Sequence, residues 1–411
     1  MTYEKSFFLA VLADHLHRRP TAVPQDLDYA LLCSFAKSHE LEAVVYSQCK
    51  DTLLSKPELA SVYSRLKKAA AQSLFLYACN KRAFDEVKCA YQQLGVRFFS
   101  VKGIEIAALY PIPSYRTMGD LDLVMSTEDR ERIHEAMLSL GYCQEREGGY
   151  ERHYRKKPVR FEIHNQLIYR ENGESHFRRT YFNNFWLYIA AEENGYCTLD
   201  WNFHFLFLIE HTKKHFRAGG IGFRQFMDLA VAVMSLPELD WQWMEKELKR
   251  IELWDFACMA LTFCQRWWGV SSPFPVLEIS EEAFEASTDF IFSNGVFGYD
   301  NFNRKIHVTE KRLSQSPLPK PLKKTGELLR QVFIPYREAV KRSYCSILKG
   351  QPYLLPAVWI YRVFYLAKNR TKDIASGWKR IFDSDDVMTE HQKLMEQWGL
   401  AGRAVYERKK R

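Results

Sequence analysis

The sequence reads as an α+β protein: a short mixed sheet held between helical regions at both ends. Two observations carry this. Apolar residues recur at helical spacing before residue 95 and again after Asp200, whereas the clearest strand patterns fall between Val96 and Leu167. Within that middle segment the order is strand, helix, strand, helix, strand, strand, an order that mixes crossover and hairpin connections and so makes the sheet mixed. The regions are accordingly 1–95 (helical), 96–199 (the α/β core), 200–315 (helical) and 316–411 (basic and helical).

In the first region Leu31, Leu32, Phe35, Leu41, Val44 and Val45 follow a helical period, and Pro57 to Leu94 is almost free of breakers until Gly95. Nothing in it has catalytic spacing. It is expected to be a helical cap that packs on the core and gates substrate.

The core opens with an apolar run, Val96 to Val101, that suits a buried strand and ends at Lys102-Gly103. A short helical run, a loop punctuated by Pro111 and Pro113, and then Arg116 and Gly119 lead to a second strand, Asp120-Leu-Asp122-Leu-Val-Met. Side chains two apart on a strand share a face, so the two carboxylates are expected to project to one side. Ser126-Thr-Glu-Asp129 then caps an amphipathic helix (Ile133, Ala136, Met137, Leu140) that stops at Gly141. A hairpin follows, with arms from Tyr150 to Arg155 and from Val159 to Leu167. Its second arm alternates, placing Arg160, Glu162, His164 and Gln166 on one face. Glu162 is thereby a candidate third carboxylate.

After Asp200 the stretch WNFHFLFLIEHTKKHF is apolar on most sides, as a buried helix would be, and Gly219-Gly220 is expected to end it. IGFRQFMDLAVAVM forms the next helix, with Arg224 and Asp228 at i and i+4, the spacing of an ion pair on one face. Residues 236–270 read as helical and Trp-rich. SPLPKP at 316–321 is the best linker candidate. The run GQPYLLPAVWIYRVFYLAKNR, broken by Pro356 and Arg362, is too interrupted to span a bilayer and suits either a packed helix or a membrane interface.

The net charge of +8 is unevenly spread. Residues 301–411 hold 24 Lys and Arg against 10 Asp and Glu, and the first 300 hold 34 against 40. The basic quarter suits a solvated surface, an acidic partner, an anionic membrane face or nucleic acid, although no recognisable RNA-binding motif accompanies it. Nine cysteines without a C-x-x-C pair point to reduced thiols. The start carries charges near its apolar run, unlike a secretory leader. The expected location is cytoplasmic, with peripheral membrane contact as a further possibility.

Two carboxylates on a strand, a third on a neighbouring strand and a Lys-Gly after the first strand together suit nucleotidyl transfer. That chemistry uses two divalent ions, one at the attacking oxygen and one at the triphosphate. Carboxylates suit magnesium, which prefers hard oxygen donors. Gly103 would let backbone approach phosphates, and Lys102 or Arg116 would neutralise them.

The segment FSVKG, then YP.P.YR.MGDLDLVM and FEIH, resembles the uncharacterised nucleotidyltransferase family, a branch of the DNA polymerase beta-like nucleotidyltransferase superfamily. The likeness continues into EHTKKHF and FRQFMDLA, and more loosely into FIPYREAVKRSY and PYLLPAVWIYR. It implies a polymerase beta-like core with helical additions at both ends. It also implies Mg2+ (or Mn2+) held by Asp120, Asp122 and Glu162, with an NTP as substrate. Lys102, Gly103, Arg116, Gly119 and His164 would contact the nucleotide. His211, Lys214, His215, Arg224 and Asp228 would line the cleft. The superfamily's Gly-Ser or Gly-Gly is here Lys102-Gly103, farther from the first Asp than in most members.

The acceptor implied is a small molecule, glycan or peptide, since such proteins accompany bacterial polysaccharide or peptide modification. A nucleotide- or sugar-nucleotide-binding protein without transfer and a nucleic-acid tailing enzyme are the competing readings. Plainer roles remain for individual residues: a solvated strand end for Asp120 and Asp122, a structural hydrogen bond for His164, and a mutual ion pair for Arg224 and Asp228. His211 and His215 are spaced like half a zinc helix, but Thr212 stands where H-E-x-x-H requires Glu.

Overall fold

The computed structural model describes residues 1–169, 175–218, 221–296, 333, 335–339, 351–361 and 393–400. The chain forms two compact units, Met1–Tyr299 with Trp398–Arg411, and Asp300–Gln397. The expected stop at Gly219-Gly220, the 316–321 linker and most of the basic C-terminal region lie outside the described residues.

Four helices open the first unit: α1 (Tyr3–Leu16), α2 (Tyr29–Ser38), α3 (Glu42–Ser55) and α4 (Ala60–Gln93). Thr2 and Asp28 cap the first two through side-chain oxygens that accept from Lys5 and Leu31 N–H. Gly95, at φ +65°, turns the chain out of α4 into β1 (Phe98–Val101). Then come α5 (Gly103–Ala107), β2 (Leu121–Met125) and α6 (Arg130–Ser139), the last preceded by a 3-10 turn in which Ser126 Oγ accepts from Glu128 N.

The remaining strands are β3 (Cys143–Glu147), β4 (Glu151–Lys156) and β5 (Val159–His164), followed by α7 (His176–Asn183), β6 (Ile189–Glu193) and β7 (Tyr196–Leu199). They form one seven-stranded mixed sheet in the order β3-β4-β5-β2-β1-β7-β6. The α+β class with a mixed sheet therefore holds, and the sheet is wider than the sequence patterns indicate. The edge hairpin β6–β7 turns at Asn194-Gly195, both at positive φ, as a two-residue turn between twisted strands requires. A Cβ at Gly195 would lie 2.4 Å from the Val96 carbonyl oxygen, so this corner also packs too closely for a larger residue.

Alternation along the strands gives the sheet two different faces. Phe98, Leu121, Leu123, Phe161 and Ile163 bury one face against α4 and α6, through Phe84, Val87, Tyr91, Ile133 and Met137. Those apolar residues fix the strand orientation, because slipping by one would put Phe161 in the place of Glu162. The opposite face carries Asp122, Glu162 and His164. Helices α8 (Trp201–Ala218), α9 (Phe223–Ser235), α10 (Trp241–Arg250), α11 (Trp254–Trp268) and α12 (Glu281–Asn294) complete the unit. Trp398 belongs to it as well, packing on Phe216 and Phe263 and donating its indole N–H to Ser287 Oγ at 3.2 Å.

In the second unit a helical turn, Tyr336–Ala339, a 3-10 turn, Pro352–Leu354, and helical residues 355–361 are described, with Ala339 and Val358 buried together. Among the described residues no helix is long and apolar enough to cross a membrane.

Candidate active site

Strands β2 and β5 run parallel, with Asp122 paired to Glu162 and Val124 to His164. Residues paired in register point to the same side, so two carboxylates and an imidazole meet on the sheet's open face. Ligand atoms of Asp122, Glu162 and His164 lie within 4.8 Å of one another. Asp120, one residue before β2, lines the same cavity, and its charge acts on Glu162.

The hairpin register brings in two residues that the sequence reading passed over. His153 pairs with Glu162 across β4–β5, and Glu151 pairs with His164. His153 Nδ1 lies 3.2 Å from Glu162 Oε1, and its Nε2 lies 3.2 Å from Glu151 Oε1. Their signal was the two-residue turn Lys157–Pro158, which fixes which residues of the two arms face each other.

Asp122 is the most heavily held of the carboxylates. Lys102 Nζ donates to its Oδ1 at 2.9 Å, and His164 Nε2 lies 3.0 Å from the same oxygen. On the other side of the ring, His164 Nδ1 is bonded to the Tyr169 hydroxyl. Nε2 facing a carboxylate oxygen carries a proton and donates it to Asp122. His164, 9% exposed, thus orients Asp122 in this arrangement, which is the structural hydrogen-bonding role.

Electrostatics separate the carboxylates. Burial pushes Asp122 up, but the Lys102 ammonium and the His164 bond outweigh it and hold the carboxyl well below the usual range. Burial and the neighbouring charges of Asp120 and Asp122 push Glu162 up to about 8. Asp120 is likewise raised, first by burial and then by Asp122. Like charges this close without enough cations are what a divalent ion relieves, and hard carboxylate oxygens fit magnesium or manganese. The close carboxylates of Asp122 and Glu162, with Asp120 beside them, therefore fit a divalent cation.

In the turn after β1 the residue at positive φ is Lys102 (φ +58°, ψ −115°). Its backbone N–H donates to His204 Nε2 at 3.1 Å, and its carbonyl accepts from Ile106 N at 2.9 Å. Burial, with Lys102 adding to it, lowers His204 to about 3, so the ring stays neutral and can accept. Gly103 lines the cavity, is buried against Met118, and its carbonyl accepts from Arg116 Nη1 at 3.2 Å. Gly119 lines the cavity with open space where a Cβ would be.

Arg224 and Asp228 do not pair with each other. Asp228 takes a bidentate pair from Arg116, Nε to Oδ1 and Nη2 to Oδ2, both at 2.8 Å, and the Tyr110 hydroxyl at 2.7 Å. Arg224 Nη1 instead reaches Glu40 Oε2 at 2.6 Å and the Thr117 carbonyl at 2.9 Å. The guanidinium fork that meets the Asp228 carboxylate comes from Arg116, in the loop before β2. Arg116 thus holds the Gly103 turn onto α9.

Sheet and helices enclose a cavity of about 370 Å³, within the range of small-molecule sites. Asp120, Asp122 and Glu162 lie on its sheet side, and His211, Lys214 and His215 of α8 line it with Arg224 and Asp228 of α9. Lys214 Nζ sits 5.8 Å from the centre of the Tyr169 ring. Burial, and next the Lys102 charge, hold His211 well below the usual imidazole range.

The model of a family described as uncharacterised nucleotidyltransferase matches residues 25–269. The match covers more than half of the chain, from α2 to α11, and includes the whole sheet and every cavity-lining residue except Val296. No curated protein and no solved structure matches the chain.

Proposed function

Because the chain belongs to the uncharacterised nucleotidyltransferase family, we propose that it moves a nucleoside monophosphate from an NTP, with Mg2+ or Mn2+, to an acceptor hydroxyl. The acceptor class is a small molecule, glycan or peptide, of the kind modified in bacterial polysaccharide or peptide pathways. The observation that carries this reading is the in-register pair of Asp122 and Glu162, with Asp120 beside it, opening into an enclosed cavity.

Asp120, Asp122 and Glu162 would hold the divalent cation, which would draw charge from the α-phosphate. The acceptor oxygen forms a bond to the α-phosphorus as the bond to the bridging oxygen breaks. Pyrophosphate leaves with the electron pair, and a carboxylate of the site or solvent takes the hydroxyl proton. Lys214, at the cavity wall facing the sheet, offers positive charge to the phosphates. His164 and Tyr169 keep Asp122 oriented while this occurs. The turn at Lys102, pinned by His204, fixes the floor between β1 and α5.

A second reading, nucleotide binding without transfer, is favoured by one observation: Asp122 Oδ1 already carries two donors. The four NTPs, each with magnesium and candidate acceptors, separate the two. Pyrophosphate release that vanishes in Asp122→Asn supports transfer. Saturable binding without release supports the second reading, and turnover unchanged in the double variant Asp120→Asn with Asp122→Asn rejects the metal site.

A further inference from the structure

Asp122 Oδ1 decides how many ions this site can take. A carboxylate that serves two ions offers one oxygen to each, and an oxygen has two lone pairs to give. Both donors on Oδ1 are in place, Lys102 Nζ at 2.9 Å and His164 Nε2 at 3.0 Å. Only the other oxygen remains for a metal.

Lys102 is delivered there by its backbone. At φ +58° and ψ −115° it occupies a conformation that side-chain-bearing residues rarely adopt. Its N–H is tied to His204 and its carbonyl to the first turn of α5. A strained residue clamped at both backbone groups, with its ammonium turned into a carboxylate cluster, has the form of a fixed cation. Asp120, Asp122 and Glu162 carry three formal negative charges against this ammonium. One divalent ion closes that balance before substrate arrives.

We propose that the Lys102 ammonium is the second cation of the site, so that the protein works with one divalent ion plus a lysine in place of two ions. This rests on the nucleotidyl-transfer reading. Lys102 would then stay on Asp122 throughout turnover, and the single ion would sit among Asp120, Glu162 and the free oxygen of Asp122.

The test counts ions. The full chain, saturated with a non-hydrolysable nucleoside triphosphate analogue, is titrated with Mn2+, and free Mn2+ is followed by its electron paramagnetic resonance signal. One bound Mn2+ per chain is expected for the wild type, rising to two in Lys102→Gly, which also suits the backbone at that turn. Two ions in the wild type, or one in both proteins, overturns the proposal and leaves the transfer reading standing. No bound ion in the wild type overturns both. Should Lys102→Gly fail to fold, Lys102→Ala is titrated in its place and read by the same counts.

Discussion

Asp122 and Glu162 stand side by side on parallel strands β2 and β5, in register and on one face of the sheet. A helix, a strand and a hairpin separate them in the chain, and the pairing alone brings them together. Both carboxylates lie in a largely enclosed setting, and only Asp122 has its own cation. That imbalance shapes the behaviour expected of the site.

The first expectation concerns pH. Glu162 has a folded value raised from its ordinary 4.5 to about 8, by burial and then by Asp120 and Asp122. A carboxyl raised on folding keeps its proton longer in the fold than in the unfolded chain. The stability of the metal-free protein should therefore fall as pH rises from about 4.5 to about 8. Asp122 is lowered, so its contribution is present above its unfolded value and is lost only in strong acid. An ion that displaces the Glu162 proton should bind more tightly as pH rises through the same window and release a proton at pH 7. Calorimetric Mn2+ titrations in buffers of different ionisation heat would measure this. Identical heats would contradict it.

His164 holds Asp122 through the hydrogen bond from Nε2 to Oδ1. Replacing it, His164→Ala, should weaken Mn2+ binding by roughly 10–100-fold, as removal of a group that orients a ligand does. Glu162→Gln should remove the Mn2+-induced rise in melting temperature altogether. If His164→Ala matches Glu162→Gln in this assay, His164 is itself a ligand.

The turn at Lys102 separates charge from backbone strain. Lys102→Ala and Lys102→Gly both lose the ammonium, yet only glycine adopts positive φ without a steric cost. Lys102→Gly should be the more stable of the two by about 1–2 kcal/mol in urea unfolding. Equal stabilities would mean that the turn relaxes once the side chain is gone.

Arg116 and Asp228 form a buried bidentate pair, with side chains 7% and 11% exposed. Arg116→Met leaves Asp228 charged and buried with only the Tyr110 hydroxyl, and should cost about 3–5 kcal/mol. Arg224→Ala leaves Glu40 half-exposed and able to reach water, so it should cost about 1 kcal/mol or less. Thermal unfolding of the two variants compares them directly. A reversal of that order would place the structural tie at Arg224.

Much of the candidate metal site was legible in the order of residues. The i, i+2 spacing of Asp120 and Asp122 and the alternation of VRFEIH put these side chains on the side that faces the cavity, because strand periodicity is two and the apolar partners Leu121, Leu123 and Phe161 must be buried. Glu151 and His153 were legible only through the hairpin register, since polar residues alternating on β4 also describe an ordinary solvated strand. The β6–β7 edge was missed because Ile189–Glu193 is mostly exposed and alanine- and glutamate-rich, with little apolar pattern to show.

Periodicity alone fixed the faces of the strands and helices, and with them the presence of three carboxylates near one another. It could not fix partners. Arg224 and Asp228 share a helix face, yet Glu40 and Arg116, each more than a hundred positions away, supply better geometry than the helix neighbours can. The same holds at the turn: Lys-Gly marks a bend, but only His204, arriving from α8, decides that Lys102 bears the strained conformation and sends its ammonium to Asp122. Local spacing determines which way a side chain points, and tertiary packing decides which charge meets it there.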